Sequence, residues 1–110
     1  MPLYERARIE VYLPDLPKPA YRDLLETLDR EFTYAFGGST TVRGMDGSYL
    51  SRDGEILQDR VTLIYTDAPF EFQEQMQVLS DYGDWLRQAA FECLEEEAIL
   101  VVVSKVYHSA

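Results

Sequence analysis

Residues 36–66 constrain the fold most, because they read FGGSTTVRGMDGSYLSRDGEILQDRVTLIYT and leave little room for a helix. The Asp-Gly pairs at 46–47 and 53–54 are turn dipeptides, since glycine accepts a positive φ and aspartate bonds its own backbone. Around these pairs the chain is rich in β-branched residues, which favour a pleated strand. The stretch therefore predicts consecutive strands joined by tight turns.

Two further segments have the pattern of strands. Residues 6–13 alternate three apolar side chains with Arg8, Glu10 and Tyr12, which is the period of a strand with one buried face. Residues 98–108 contain an uninterrupted apolar run. Such a run predicts a final strand that is covered on both faces or lies at the middle of a sheet.

Two segments have apolar residues at helical spacing. The first, residues 19–32, begins with a proline, which suits the first turn of a helix. The second covers residues 70–97, where Gly83 interrupts the pattern. A glycine in a helix interior costs about 1 kcal/mol relative to alanine, so this position marks either a kink or a join between two shorter helices.

The order of these elements is strand, helix, strand, strand, helix, strand. We place the two middle strands at 39–43 and 56–66. Between them, residues 48–51 are expected to form a short strand within an extra hairpin over residues 44–56. This βαββαβ order is that of an α+β, ferredoxin-like fold. Right-handed crossovers put both helices on one face of the antiparallel sheet and leave the other face open. We expect residues 1–110 to form a single domain, because this length is typical of one core.

Charge and cysteine content limit the partners and the compartment. The net charge of −10 repels phosphate backbones and anionic lipid headgroups, so we expect no nucleic acid and no membrane as a partner. The apolar run at 99–103 is far too short to cross a bilayer. Cys93 is the single cysteine, so no intrachain disulfide can form and an oxidising compartment gains no support. We therefore expect a cytoplasmic protein.

The reactive side chains do not form a recognised catalytic or metal motif. His108 is the single histidine and lies near the C-terminus, where we expect it to be exposed. Cys93 falls on the apolar side of the second helix and is expected to be a small buried hydrophobe. The acidic residues around the two Asp-Gly pairs do not have the spacing of a calcium loop. We therefore expect no metal and no cofactor.

The open face of the sheet carries the most informative candidate residues. Alternation in the first strand points Glu10 and Tyr12 to this face, and neighbouring strands are expected to bring Arg43 and Tyr65 alongside. A carboxylate and a phenol held in a partly dry pocket could act as acid and base on a small molecule. The other interpretation is structural: Glu10 pairs with a Lys or Arg across the sheet, and Tyr12 fills a dimer interface.

Several motifs resemble those of an uncharacterised family of short bacterial α/β proteins. They are Phe36-x-x-Ser39-x-Thr41-Val42, Gly47-x-Tyr49, Asp53-Gly54-x-Ile56-x-x-Asp59 and the preceding Glu10-x-Tyr12. The family has no assigned activity. The resemblance therefore implies a ferredoxin-like fold and does not imply a mechanism.

Two functions from different classes follow from the sequence. The first is a non-catalytic binding or assembly domain that self-associates through its open sheet face, most simply as a homodimer. The second is a small-molecule enzyme or ligand-binding protein whose pocket lies at that face, with Glu10, Tyr12, Arg43 and Tyr65 as the ligand-binding candidates.

Overall fold

The fold is an antiparallel sheet with two helices on one face, as the sequence predicts. The computed structural model describes residues 2–95 and 99–109. The elements are β1 (Leu3–Pro14), α1 (Pro19–Phe36), β2 (Thr40–Leu50), β3 (Ile56–Ala68), α2 (Met76–Leu94) and β4 (Leu100–Ser109). The strand order is β2-β3-β1-β4, which is the ferredoxin-like order.

Strand β1 lies at the centre and divides the sheet into two unlike faces. Its alternate residues Ile9 and Val11 are fully buried, and they lie opposite Thr66 and Ile64 of β3. We call the face that they share the helix face. Each large aliphatic side chain buried there contributes about 1.5–3 kcal/mol relative to an exposed position. The strict alternation of β1 therefore dictates where the core forms.

Helix α1 covers the β3 side of this core with five buried side chains: Tyr21, Leu24, Leu25, Leu28 and Phe32. Pro19 occupies its first turn, and Gly37 ends it at a φ of 94° while donating its N–H to the carbonyl of Thr33. The helix continues past the predicted end at residue 32. It does so because the Phe36 ring packs edge-on against Phe70 and Tyr82.

Helix α2 is one continuous helix, so Gly83 does not separate two helices. A Cβ built on Gly83 would lie 3.6 Å from Val101 and 3.8 Å from Val103, which shows that α2 packs closely on β4. The helix begins at Met76, six residues after the predicted start, and its described part ends at Leu94. The predicted end at residue 97 lies outside the described residues.

The middle strands form one long hairpin whose outer half projects from the sheet. The last β1 residue that pairs with β3 is Pro14, opposite Val61, so residues 56–60 of β3 pair with β2 alone. We call residues 45–60 the hairpin arm. A separate extra hairpin is not confirmed, because residues 48–50 continue β2. The 53–54 pair forms the turn of the arm, whereas the 46–47 pair lies within β2.

Strand β4 lies at the edge of the sheet, which corrects its predicted place. It pairs with β1 only, and the Leu100 side chain at its start is 56% exposed. The apolar run is explained by the two faces: Val101 and Val103 lie on the helix face beneath α2, and Val102 lies on the opposite face. Among the described residues, no helix is long and apolar enough to cross a membrane.

Gly83 generates a stability prediction. We expect Gly83→Ala to raise the free energy of unfolding by about 0.5–1 kcal/mol, because alanine is the better helix former and its Cβ would be in ordinary contact with the two valines. Gly83→Leu has no room for its outer methyl groups and should cost about 1–3 kcal/mol. Urea denaturation monitored by circular dichroism measures both values. Equal destabilisation by both variants would contradict the packing described.

Candidate functional site

The candidate site is the sheet surface opposite the helices, which we call the open face. Both helices pack on the helix face, and the central side chains of the open face are half-buried except for the exposed Leu100. From β3 through β1 to β4, three rows of paired residues cross its centre: Asp67, Arg8 and Ser104; Tyr65, Glu10 and Val102; and Leu63, Tyr12 and Leu100. The centre is therefore a mixture of aromatic, aliphatic and charged groups.

Glu10 and Tyr12 pair with each other. The Tyr12 hydroxyl donates a hydrogen bond of 2.9 Å to Oε2 of Glu10. That bond, with some desolvation and the Glu10 charge, raises the pKa of Tyr12 above its usual value. Tyr12 thus stays protonated at neutral pH and serves as a hydrogen-bond donor, and it is a poor general base. The expected Lys or Arg partner for Glu10 is replaced by this tyrosine.

An ion-pair cluster occupies the neighbouring row. The Arg8 guanidinium donates two hydrogen bonds to Asp67, from Nε to Oδ1 at 2.8 Å and from Nη2 to Oδ2 at 3.0 Å. Nε2 of His108 lies 2.6 Å from the same Oδ2. The Arg8 guanidinium carbon also lies 4.5 Å from the centre of the Tyr65 ring, within the range of a cation–π contact.

This cluster holds Asp67 in its charged form. The Asp67 side chain is only 13% exposed, and burial alone would raise its pKa. The hydrogen bond from Arg8, assisted by the one from His108, outweighs burial and lowers the pKa of Asp67 below its usual range. The pKa of Arg8 is raised in turn by Asp67. The open face thus contains a carboxylate that is fully partnered before any other molecule binds.

Three of the four predicted site residues come together, and the fourth does not. Glu10, Tyr12 and Tyr65 lie on the open face. Arg43 follows Thr41, which pairs with Ile64, and lies beside a β-bulge. With Thr41 it lines a cleft of about 990 Å³ against α1, on the helix side of the sheet. Residue 43 lies two positions after Thr41 and therefore on the same side of β2, which separates Arg43 from the other three residues.

The predictions for the reactive side chains were partly wrong. His108, which we expected to be exposed, is half-buried, and its side chain bonds to Asp67 while remaining 42% exposed. Its position two residues after Val106 on β4 was the available signal, because alternation places it on the open face. Cys93 is exposed and not buried, since the buried stripe of α2 ends with Ala90 and Leu94 and residue 93 falls beside it.

A small apolar cavity lies where the open face meets the hairpin arm. Its volume is about 370 Å³, and its walls include Tyr12, Tyr49, Val61 and Leu100. Glu10 is not part of its lining. The cavity reaches the size of a small-molecule pocket, about 300 Å³ or more, but it presents few charged groups to a ligand. Among the described residues, no three His, Cys, Asp or Glu side chains form a group suited to a metal ion.

Comparison with known proteins shows the fold. No family model and no curated protein matches the sequence. Among solved structures, CutA1 from Oryza sativa superposes with a TM-score of 0.62 at 15% identity, over 97% of this chain and 84% of that one. CPII from Thiomonas intermedia K12 is a nitrogen regulatory PII-like protein bound to ADP, AMP and bicarbonate. It has a TM-score of 0.53 at 18% identity, over 99% of this chain and 100% of that one.

A third structure is a phage SAM lyase in complex with S-methyl-5'-thioadenosine. Its TM-score is 0.55 at 13% identity, over 96% of this chain and 90% of that chain. All three identities are too low to transfer an activity. The likenesses show that this chain has a ferredoxin-like α+β fold.

The ion-pair cluster predicts the effect of removing Arg8. We expect Arg8→Met to lower the free energy of unfolding by about 1–3 kcal/mol at pH 7, because it leaves the Asp67 carboxylate short of a partner. The pKa of Asp67 should then rise, since its main depressing contact is lost. Urea denaturation measures the first change, and a carbon-13 NMR titration of Asp67 measures the second.

The pH dependence has a definite sign. A depressed carboxyl pKa stabilises the fold above the pKa of the unfolded chain, about 3.9, and this stabilisation is lost as the pH falls through the folded pKa. Arg22→Met, at an exposed position on α1, is the matched control and should leave Asp67 unchanged. An Asp67 pKa that is the same in all three proteins would contradict the role given to Arg8.

Proposed function

We propose that this protein is a non-catalytic binding or assembly domain that associates with a second copy of itself through the open face. The observation that carries the proposal is the composition of that face. Tyrosine and aliphatic side chains cover its centre and are half-buried: Tyr12, Leu63, Tyr65, Val102 and Val106. Aromatic and aliphatic side chains that remain partly exposed in this way are typical of an interface core.

The charged groups of the open face are compatible with burial in such an interface. Asp67 is bonded by Arg8 and His108, and Glu10 accepts the hydroxyl of Tyr12. A buried charge is costly when it is unpaired, and these two carboxylates already have partners within the same chain. If a second copy covered Asp67 and Glu10, each carboxylate would therefore keep a hydrogen-bond partner.

A two-fold arrangement is the simplest one that covers the face. In a symmetric dimer the same patch of each copy meets its equivalent, so one surface suffices for both partners. Two acidic chains repel each other, and apolar burial at the face must exceed that repulsion. Association should accordingly strengthen with added salt.

A charge placed at the centre of the face tests the proposal. We expect Leu63→Asp to convert a dimer into a monomer, because each interface would bury two new unpaired carboxylates. Val78→Asp is the matched control, since Val78 is 57% exposed on α2, on the other side of the molecule. Light scattering coupled to size exclusion measures the mass of each variant. Equal masses for both variants would contradict assembly through the open face.

A ligand-binding role is the second candidate, and the cavity beside Tyr12 favours it. Two of the proteins with this fold are described with adenosine compounds, namely ADP and AMP for CPII and S-methyl-5'-thioadenosine for the phage lyase. The apolar walls at Tyr12, Tyr49 and Leu100 suit a flat ring more than a phosphate. The raised pKa of Tyr12 disfavours a role as a catalytic base, so Tyr12 suits a site that binds a ligand without converting it.

Calorimetric titration with these adenosine compounds separates the two candidates. If the cavity binds one of them, Tyr12→Ala should weaken binding at least about tenfold, by analogy with stacked bases on aromatic rings. Tyr107→Ala is the control, because Tyr107 is exposed on β4 and does not line the cavity. If none of the three compounds gives a heat of binding, the structures with adenosine compounds no longer support this second role.

We also propose that the protein acts in the cytoplasm. The support is the single cysteine and the acidic composition. The resemblance to the uncharacterised bacterial family agrees with the fold and adds no activity to the proposal.

A further inference from the structure

Strand β4 forms one long edge of the sheet. The strand order places β1 on one side of it, and in the part of the chain that the structure describes no strand lies on its other side. Every second residue of an edge strand turns its N–H and C=O groups outward, where they can bond to a further strand. None of the ten residues of β4 is buried, in agreement with this position.

The two edges of the sheet differ in how well they can accept a further strand. At the other edge, β2 has a bulge between Val42 and Met45, with Gly44 at a φ of 71°. Bulges discourage strand pairing at an edge. Strand β4 has no such break, because its register with β1 is continuous over all ten residues, and it contains no glycine or proline. The β4 edge is therefore the one that suits strand addition.

The side chains beside this edge are apolar and only partly covered. On the helix face α2 packs over Val101 and Val103, and on the open face Val102 and Val106 are half-buried. Residues directly opposite each other on neighbouring strands have Cβ atoms about 4.5–5.5 Å apart. A further strand with β-branched side chains would therefore contact these valines on both faces of the sheet.

One charged side chain indicates the chemistry of the strand that would pair here. Lys105 is exposed, and its Nζ lies 5.9 Å from the centre of the Tyr107 ring. Its neighbour on β1 is Ala7, and among residues 2–95 and 99–109 no carboxylate forms an ion pair with it. A carboxylate directly opposite a lysine is a favourable cross-strand pair. The edge thus suits a strand with one acidic residue.

We propose that the outer edge of β4 binds an extended segment of a partner protein, rich in β-branched residues and with one carboxylate opposite Lys105. Main-chain hydrogen bonds would provide the affinity and alternate side chains the specificity, as in other cases of strand addition. The added strand would lie about 4.8 Å from β4 in the plane of the sheet. It would leave the centre of the open face uncovered, so this binding is separate from the proposed assembly.

A second copy of this chain would supply a poorer strand. Its β4 contains no carboxylate, so two paired β4 strands would leave both lysines without an acidic partner. Its β2 is interrupted by the bulge. The free edge of its hairpin arm, residues 56–60 of β3, has half the length of β4 and would leave the rest of the edge unpaired.

The probe for this proposal is a synthetic peptide of about ten residues, made of valine and threonine with one aspartate at its centre. The control peptide has the same side chains but methylated backbone nitrogens, which removes the main-chain donors. We expect the first peptide to protect alternate backbone N–H groups of β4 from hydrogen exchange, measured by NMR. The methylated peptide should give no protection and should bind at least about tenfold more weakly in calorimetry.

A charge exchange then locates the peptide on the edge. Lys105→Glu should weaken binding of the aspartate peptide about three- to tenfold, and a peptide with lysine in place of the aspartate should restore the affinity. Arg43→Glu, an exposed change on the other edge strand, is the matched control and should leave binding unchanged. Circular dichroism confirms that each variant is folded.

Several results would overturn the inference. Equal affinity for the methylated peptide, or no heat and no protection with the aspartate peptide, would exclude strand addition at β4. Protection of residues 40–50 instead would assign the added strand to β2. An affinity that Lys105→Glu leaves unchanged would remove the role of the carboxylate. Protection of β4 without any peptide, in Leu63→Asp at high protein concentration, would assign the edge to a second copy. The mass of Leu63→Asp at low concentration still tests the open-face assembly separately.

Discussion

The two-sidedness of β1 is the constraint on which the rest of the structure depends. Its odd-numbered apolar residues are buried under the helices, so its even-numbered residues must lie on the opposite surface. The two helices of this chain both lie on the first side, and none of the described residues forms a layer over the second. The question of function is therefore largely a question of what meets the open face.

The ion-pair cluster satisfies the main charged groups of the open face within one chain. The Asp67 side chain is largely buried and forms an ion pair with Arg8, and the Arg8 guanidinium also lies over the Tyr65 ring. Because the charges neutralise one another within one chain, the face is neither a strong anion site nor a strong cation site. In the proposed assembly, its polar groups would set position and specificity, while its aliphatic and aromatic groups would supply the free energy of association.

Most of the fold follows from local patterns, and the site follows only in part. Alternation in β1 and helical spacing in α1 were sufficient for element type, and the element order then implied the ferredoxin-like topology. Alternation also placed Glu10, Tyr12 and Tyr65 on one face. It failed for Arg43, because β2 pairs with β3 so that Val42, and not Arg43, shares the open face with Leu63, and this register is set only in the completed sheet.

The other errors have similar physical causes. The bond between His108 and Asp67 joins residues on strands separated by β1, so it depends on the completed sheet. The edge position of β4 was missed because a wholly apolar run resembles a strand buried on both faces. In this chain Val101 and Val103 lie beneath α2, whereas Val102 and Val106 lie on the open face.

Sedimentation equilibrium of the unmodified protein across a wide range of concentrations tests the central claim most directly. The account predicts a species of twice the 12.7 kDa chain mass that dissociates to a single chain on dilution. A mass of one chain at every concentration would contradict assembly through the open face.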